Sequence, residues 1–130
     1  MNAKTQKNDI SNAEFDVLDA LWEGSPATSN QVIERLNKRK DWHEKTVKTL
    51  LGRLVKKEVV SFEKQQRQYL YYPLIAREEY AKQETNSFVS RLFKGKIAPM
   101  VAGFANQNSL SKQDVQDLKA LIEEWEKDND

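Results

Sequence analysis

The sequence predicts a mainly α protein with one β-hairpin, ordered helix-helix-helix-hairpin and then three further helices. Three observations predict it. Glycine and proline are scarce, four and three in 130 residues, which suits helices with few turns. Apolar residues recur at helical spacing behind three capping signals. The pattern changes once, between Val59 and Pro73, to β-branched and aromatic runs.

Residues 1–9 are polar and aperiodic and read as a loose tail. Ser11-Asn12-Ala13-Glu14 has the spacing of a capping box, in which the Ser11 hydroxyl accepts from the backbone three residues on and Glu14 reaches back. The helix behind it carries an apolar stripe of Phe15, Val17, Leu18, Leu21 and Trp22, and Gly24-Ser25-Pro26 stops it. Thr28-Ser29-Asn30-Gln31 is a second capping signal. Val32, Ile33 and Leu36 follow on a short amphipathic helix that ends in the polar run Asn37 to Asp41. A third helix is predicted from about Glu44 to Lys57. The connections are short, as a compact three-helix unit requires.

Val59-Val60-Ser61-Phe62 and Tyr69-Leu70-Tyr71-Tyr72 then read as two short strands around a polar loop, Glu63 to Gln68, with Pro73 closing the hairpin. Beyond Ile75, Tyr80, Glu84, Phe88, Leu92 and Phe93 recur at helical spacing as far as Gly95. Ile97 to Asn106 is a short apolar piece holding Pro99, Met100, Val101 and Phe104. Ser111-Lys112-Gln113-Asp114 caps a last helix with Val115, Leu118, Leu121, Ile122 and Trp125 on one side.

Three helices and a hairpin are the layout of a winged helix-turn-helix. The predicted organisation is a tail over 1–9, a winged-helix domain over 10–74 and a helical module over 75–130. At about 55 residues the second module is near the lower limit for a core of its own. Its stripes are expected to need another surface, and the same module of a second subunit supplies one most simply.

Composition removes several classes of function. Cysteine is absent, which excludes disulfides, thiolate metal sites, Fe–S clusters and a cysteine nucleophile. The single histidine, His43, leaves no imidazole cluster, and no metal or cofactor is expected. No apolar run approaches the 18 or so residues of a membrane span, so no membrane insertion is expected. The chain does not open with a charged n-region and apolar h-region, so a cytoplasmic location is expected. There is no credible Ser/His/Asp set, phosphate-binding G-x-x-x-x-G-K-S/T loop or H-E-x-x-H, and the chain reads as a non-enzyme. The acids Glu123, Glu124, Glu126, Asp128 and Asp130 read as a solvated face and tail.

The overall net charge of +1 conceals a division: residues 1–75 carry +3 and residues 76–130 carry −2. From Arg35 to Lys57 there are nine bases (Arg35, Lys38, Arg39, Lys40, Lys45, Lys48, Arg53, Lys56, Lys57) and two acids (Asp41, Glu44), a net of +7. Solvated helix faces usually mix their signs. On the third helix, Val47, Leu50, Leu51, Leu54 and Val55 fall on one side. Lys45, Lys48, Thr49, Gly52, Arg53 and Lys56 fall on the other, with no acid among them. A helix of about 13 residues spans roughly 20 Å and fits a major groove. Lysine and arginine bind phosphates and can read guanine. Thr46, Thr49 and Gly52 are small enough for close approach, and a threonine offers a hydroxyl and a methyl to base edges. Lys64 and Arg67 at the hairpin tip are placed to reach the neighbouring backbone or minor groove.

Blander roles weigh against these. A lysine-rich helix is often merely a solvated face. His43 reads as a helix-start residue. Trp22, Trp42 and Trp125 read as core or interface aromatics, and Tyr69, Tyr71 and Tyr72 as strand packing. Two functional alternatives also stand on the residues alone. One is a protein-interaction adaptor whose cationic helix docks on an acidic partner. The other is a ligand-gated winged-helix regulator.

The segment Ile10 to Leu18, the run Lys45-Thr46-Val47-Lys48-Thr49-Leu50-Leu51-Gly52-Arg53-Leu54-Val55-Lys56-Lys57-Glu58 and the strand Tyr69-Leu70-Tyr71-Tyr72-Pro73 together resemble the penicillinase repressor family of the BlaI/MecI type, over nearly the whole chain. The resemblance implies a homodimeric bacterial repressor with an N-terminal winged helix and a C-terminal helical dimerisation module. Such proteins bind double-stranded pseudo-palindromic operators, typically upstream of β-lactamase or penicillin-binding-protein genes. It implies DNA contact by Lys45, Thr46, Lys48, Thr49 and Arg53, with Lys56 and the wing residues Lys64 and Arg67 in support. Dimerisation is expected through Phe88, Leu92, Phe93, Val115, Leu118, Ile122 and Trp125.

Classical members of the family are inactivated when a membrane sensor-protease pathway cuts an Asn-Phe bond in the dimerisation module, so the resemblance brings in a sensor protease as a candidate partner. The comparable place here reads Val101-Ala102-Gly103-Phe104-Ala105-Asn106, with Gly103 where asparagine is expected, which leaves three alternatives: a cut at Gly103-Phe104, a cut elsewhere, or none. Copper-responsive relatives use a cysteine-rich tail, which this chain lacks.

Overall fold

The computed structural model describes residues 9–129. Of the tail expected over residues 1–9, only Asp9 is among them. The elements are α1 (Asn12–Trp22), α2 (Ser29–Asn37), α3 (Glu44–Lys56), β1 (Val60–Gln65), β2 (Gln68–Pro73), α4 (Arg77–Phe93), α5 (Ile97–Asn106) and α6 (Lys112–Asp128). All three capping signals form capping boxes: Ser11 with Glu14, Thr28 with Gln31, and Ser111 with Asp114. His43, the N-cap of α3, makes no side-chain capping hydrogen bond.

The chain divides into two compact units after Ala81, within α4. In the first unit, Val17, Leu18 and Leu21 of α1, Val32 and Leu36 of α2, and Val47, Leu50, Leu51 and Leu54 of α3 form one buried core, which Val59 and Val60 extend into the hairpin. Burying each such side chain contributes about 1.5–3 kcal/mol. The α1–α2 connection is tied to the wing by a single bridge, in which Ala27 and Tyr71 exchange backbone hydrogen bonds of 2.9 and 2.8 Å.

The division falls later than the boundary at residue 74 expected from the sequence. The stripe of α4 starts with Tyr80, yet Tyr80 is buried in the first unit, with ring centroids 5.8 Å from both Phe15 and Trp22. Trp22 Nε1 donates to the Ile75 carbonyl at 3.0 Å, and the Arg77 guanidinium both lies over the Trp22 ring and pairs with Asp19.

The hairpin is longer than its apolar pattern indicated. Its antiparallel register runs from Val60 opposite Pro73 to Gln65 opposite Gln68, which leaves only Gln66 and Arg67 as the turn, with Gln66 at φ 57°. Glu63 and Lys64, expected in a loop, are strand residues opposite Leu70 and Tyr69. Both are exposed, so the ladder continues where the apolar alternation stops.

In the second unit the short apolar piece is α5 and the capped stripe is α6, as the sequence pattern indicates. Among its described residues, Val89 is the apolar side chain that is buried. Leu92, Ile97, Leu121, Ile122 and Trp125 are more than half exposed. Phe88 lies against Phe93, ring centroids 5.8 Å apart.

Candidate nucleic-acid interface

Helix α3 buries Val47, Leu50, Leu51 and Leu54 and exposes Lys45, Thr46, Lys48, Thr49, Gly52, Arg53 and Lys56, so the division read from helical spacing is the one the fold adopts. The exposed side is split between two hollows. Lys45, Thr46, Thr49 and Arg53 surround the first, an open depression of about 360 Å³ completed by His43 and Leu50. Lys48 lies on the other flank. It lines a second depression of about 450 Å³ with Glu44, the start of α2 (Thr28, Ser29, Asn30) and the wing residues Arg67, Gln68, Tyr69 and Tyr71. Lys56 and Lys64 line neither. Lys64 Nζ lies 6.0 Å from the Tyr69 ring centroid, on the aromatic face that Phe62, Tyr69 and Tyr71 make on the wing. Burial raises the Tyr71 phenol above its ordinary pKa, as does Tyr69, against an opposing effect of Lys48.

The +7 run does not form one cationic surface. Arg35 Nη1 donates to the Ala20 and Gly24 carbonyls at 2.9 and 2.7 Å, where it caps the C-terminal end of α1. Arg39 contacts Asp19 and Glu23, both at 3.4 Å. Lys57 Nζ donates to Glu14 and to the Asp9 carbonyl. Lys40 lies over the Trp42 ring at 4.9 Å. Lys48 is 3.2 Å from Glu44, the acid that begins α3. Among the described residues, no ion pair engages Lys45, Arg53 or Lys56.

Two features of α3 were missed in the sequence. The Glu44–Lys48 pair was visible in principle, since residues four apart on a helix are neighbours. Thr49 Oγ1 donates to the Lys45 carbonyl at 3.0 Å, so its proton is engaged inside the helix and only an acceptor and a methyl remain for a ligand. The residue four before Thr49, Lys45, lies within α3, whereas the residue four before Thr46, Trp42, precedes it, so helix position distinguishes the two threonines.

Three packed helices, a wing and a third helix with an exposed cationic side define a winged helix-turn-helix domain, the class that lays a helix in a DNA groove. The family model described as penicillinase repressor matches residues 10–124. The chain is 34% identical over 115 residues to the penicillinase repressor of Bacillus licheniformis, covering 88% of this chain and 90% of that one. It is 30% identical over 122 residues to the methicillin resistance regulatory protein MecI of Staphylococcus aureus (strain N315), covering 94% and 98%. The solution structure of the DNA binding domain of the repressor BlaI is 38% identical and covers 55% of this chain and 88% of that domain, with a TM-score of 0.50. The chain belongs to the penicillinase repressor family. Among the described residues, no helix is long and apolar enough to cross a membrane.

Proposed function

We propose that this chain is a homodimeric, sequence-specific repressor acting at a pseudo-palindromic operator of β-lactamase, penicillin-binding-protein or related genes. The observation that carries the reading is the exposed side of α3, where Lys45, Arg53 and Lys56 are free of ion pairs among the described residues, in a chain related to named repressors. Helix α3 enters the major groove, Lys45 and Arg53 hold phosphates on one flank, and Thr46 and Thr49 approach base edges. Lys48 acts on the wing flank, and Lys56, Lys64 and Arg67 follow the backbone.

The second unit supports pairing of two copies. Its apolar side chains stand largely uncovered: Phe88, Leu92, Val115, Ile122 and Trp125 are exposed, and Phe93 and Leu118 are half-buried. Pairing through these residues sets two α3 helices about one helical turn, ~34 Å, apart on the operator. Each half-site then sees its partner at high effective concentration, so loss of the dimer lowers operator affinity.

Cleavage by a sensor protease at Gly103-Phe104 fits the same scheme. Both residues lie within α5, Phe104 is exposed, and a cut there separates α6 from the DNA-binding unit. The helix must first open locally, and a glycine in its interior lowers the cost by roughly 1 kcal/mol relative to alanine.

Titration of the full chain against duplex DNA at rising salt tests the reading. With ~8 phosphates neutralised per dimer, log K falls against log salt with a slope of about −7. A flat response overturns it. In sedimentation, Trp125→Asp gives monomers; a persisting dimer places the interface elsewhere.

A further inference from the structure

Glu44 is the only acid in α3 and stands in its first turn. Its side chain is 62% exposed, and its Oε1 lies 3.2 Å from Lys48 Nζ. In a docked recognition helix, the N-terminal turn is the part that meets base edges. A carboxylate at that place offers acceptors alone, and a neighbouring phosphate repels it. The bases that donate in the major groove are cytosine, through N4, and adenine, through N6. Guanine presents only the acceptors N7 and O6.

Lys48 has the opposite chemistry, with three donors and no acceptor. Joined by one ion pair, the two side chains present donors beside acceptors. A G·C pair presents the complement, guanine O6 and N7 beside the cytosine amino group. Lys45 and Arg53 line the other hollow, so phosphate binding on that flank does not require Lys48.

We propose that the Glu44–Lys48 pair reads one G·C base pair in each operator half-site, Lys48 donating to guanine and Glu44 accepting from the cytosine amino group. The inference rests on the repressor function proposed above and adds a specificity-determining residue to it. Glu44 also stabilises the uncapped start of α3, through the helix dipole and the pair with Lys48. A role confined to helix stability predicts a lower melting temperature in Glu44 variants and an unchanged sequence preference.

Selection from a random duplex library separates the two roles, using the full wild-type chain, Glu44→Ala and Glu44→Gln, with thermal melting run on each. Wild-type sites should share a cytosine at one position per half-site. Glu44→Ala should lose that preference by roughly 5- to 100-fold while the rest of the motif persists. Glu44→Gln should move the preference to adenine, whose N6 and N7 a glutamine amide can bond together. One motif selected by all three proteins overturns the proposal and leaves the repressor function standing. A wild-type chain that enriches no duplex overturns the repressor function and this proposal with it.

Discussion

Lys57 Nζ lies 2.6 Å from the Glu14 carboxylate and joins the end of α3 to the first turn of α1. Glu14 is the buried charged residue of the first unit, its side chain only 2% exposed, and Lys57 also donates to the Asp9 carbonyl at 2.7 Å. Burial by itself raises the Glu14 pKa. The hydrogen bond and charge of Lys57, with the Ser11 backbone N–H and hydroxyl, outweigh burial and hold it below its ordinary value. Glu14 therefore contributes stability that is present above the ordinary carboxylate pKa and is lost as pH falls through the lowered folded value.

Lys57→Met strands that carboxylate. Urea unfolding at pH 7 should show a loss of about 2 kcal/mol, less than for a fully buried pair because Lys57 is partly exposed. Near pH 4 the deficit should shrink, since protonation relieves the stranded group. An equal deficit at both pH values would contradict the assigned role.

Two positions on and after α3 carry a backbone cost. Gly52 lies inside the helix, and a Cβ built there meets nothing within 4 Å. Glu58 follows the C-cap of α3 at φ 65°, a left-handed conformation that favours glycine. Gly52→Ala should stabilise the fold by about 1 kcal/mol, raising Tm by about 5 °C. Calorimetry showing a lower Tm would refute this.

Thr46 and Thr49 should differ in their response to loss of the hydroxyl. Because Thr49 already donates to the Lys45 carbonyl, Thr49→Val keeps the methyl and should change operator affinity by no more than about threefold. The Thr46 hydroxyl has no such bond among the described residues. Thr46→Val should weaken binding by about 5- to 10-fold. Fluorescence anisotropy with labelled operator compares the two, and the reverse ranking would contradict the geometry.

Local physics was legible in the sequence. Each capping box links residues three apart, and the apolar stripe of α3 follows from a 3.6-residue period; both are short-range signals. The allocation of charge was not legible. Arg35 reaches back to Ala20 and Gly24, Arg39 to Asp19 and Glu23, and Lys57 to Glu14, all across elements brought together only by folding. Counting bases along the chain therefore overstated the charge available to a ligand. The same limit explains Tyr80. Its spacing placed it on the stripe of α4, but its burial depends on Phe15 and Trp22, far away in sequence. The wing was read too short because its outer ladder is held by backbone hydrogen bonds between polar residues.

The most direct test removes the two unpaired bases that line one hollow of α3. Lys45→Ala/Arg53→Ala deletes exposed side chains that no ion pair engages among the described residues. Its circular dichroism and melting should match the wild type, while affinity for operator duplex should fall by at least about 100-fold, roughly 3 kcal/mol. Affinity within twofold of wild type, with the fold intact, would show that this side of α3 does not meet DNA.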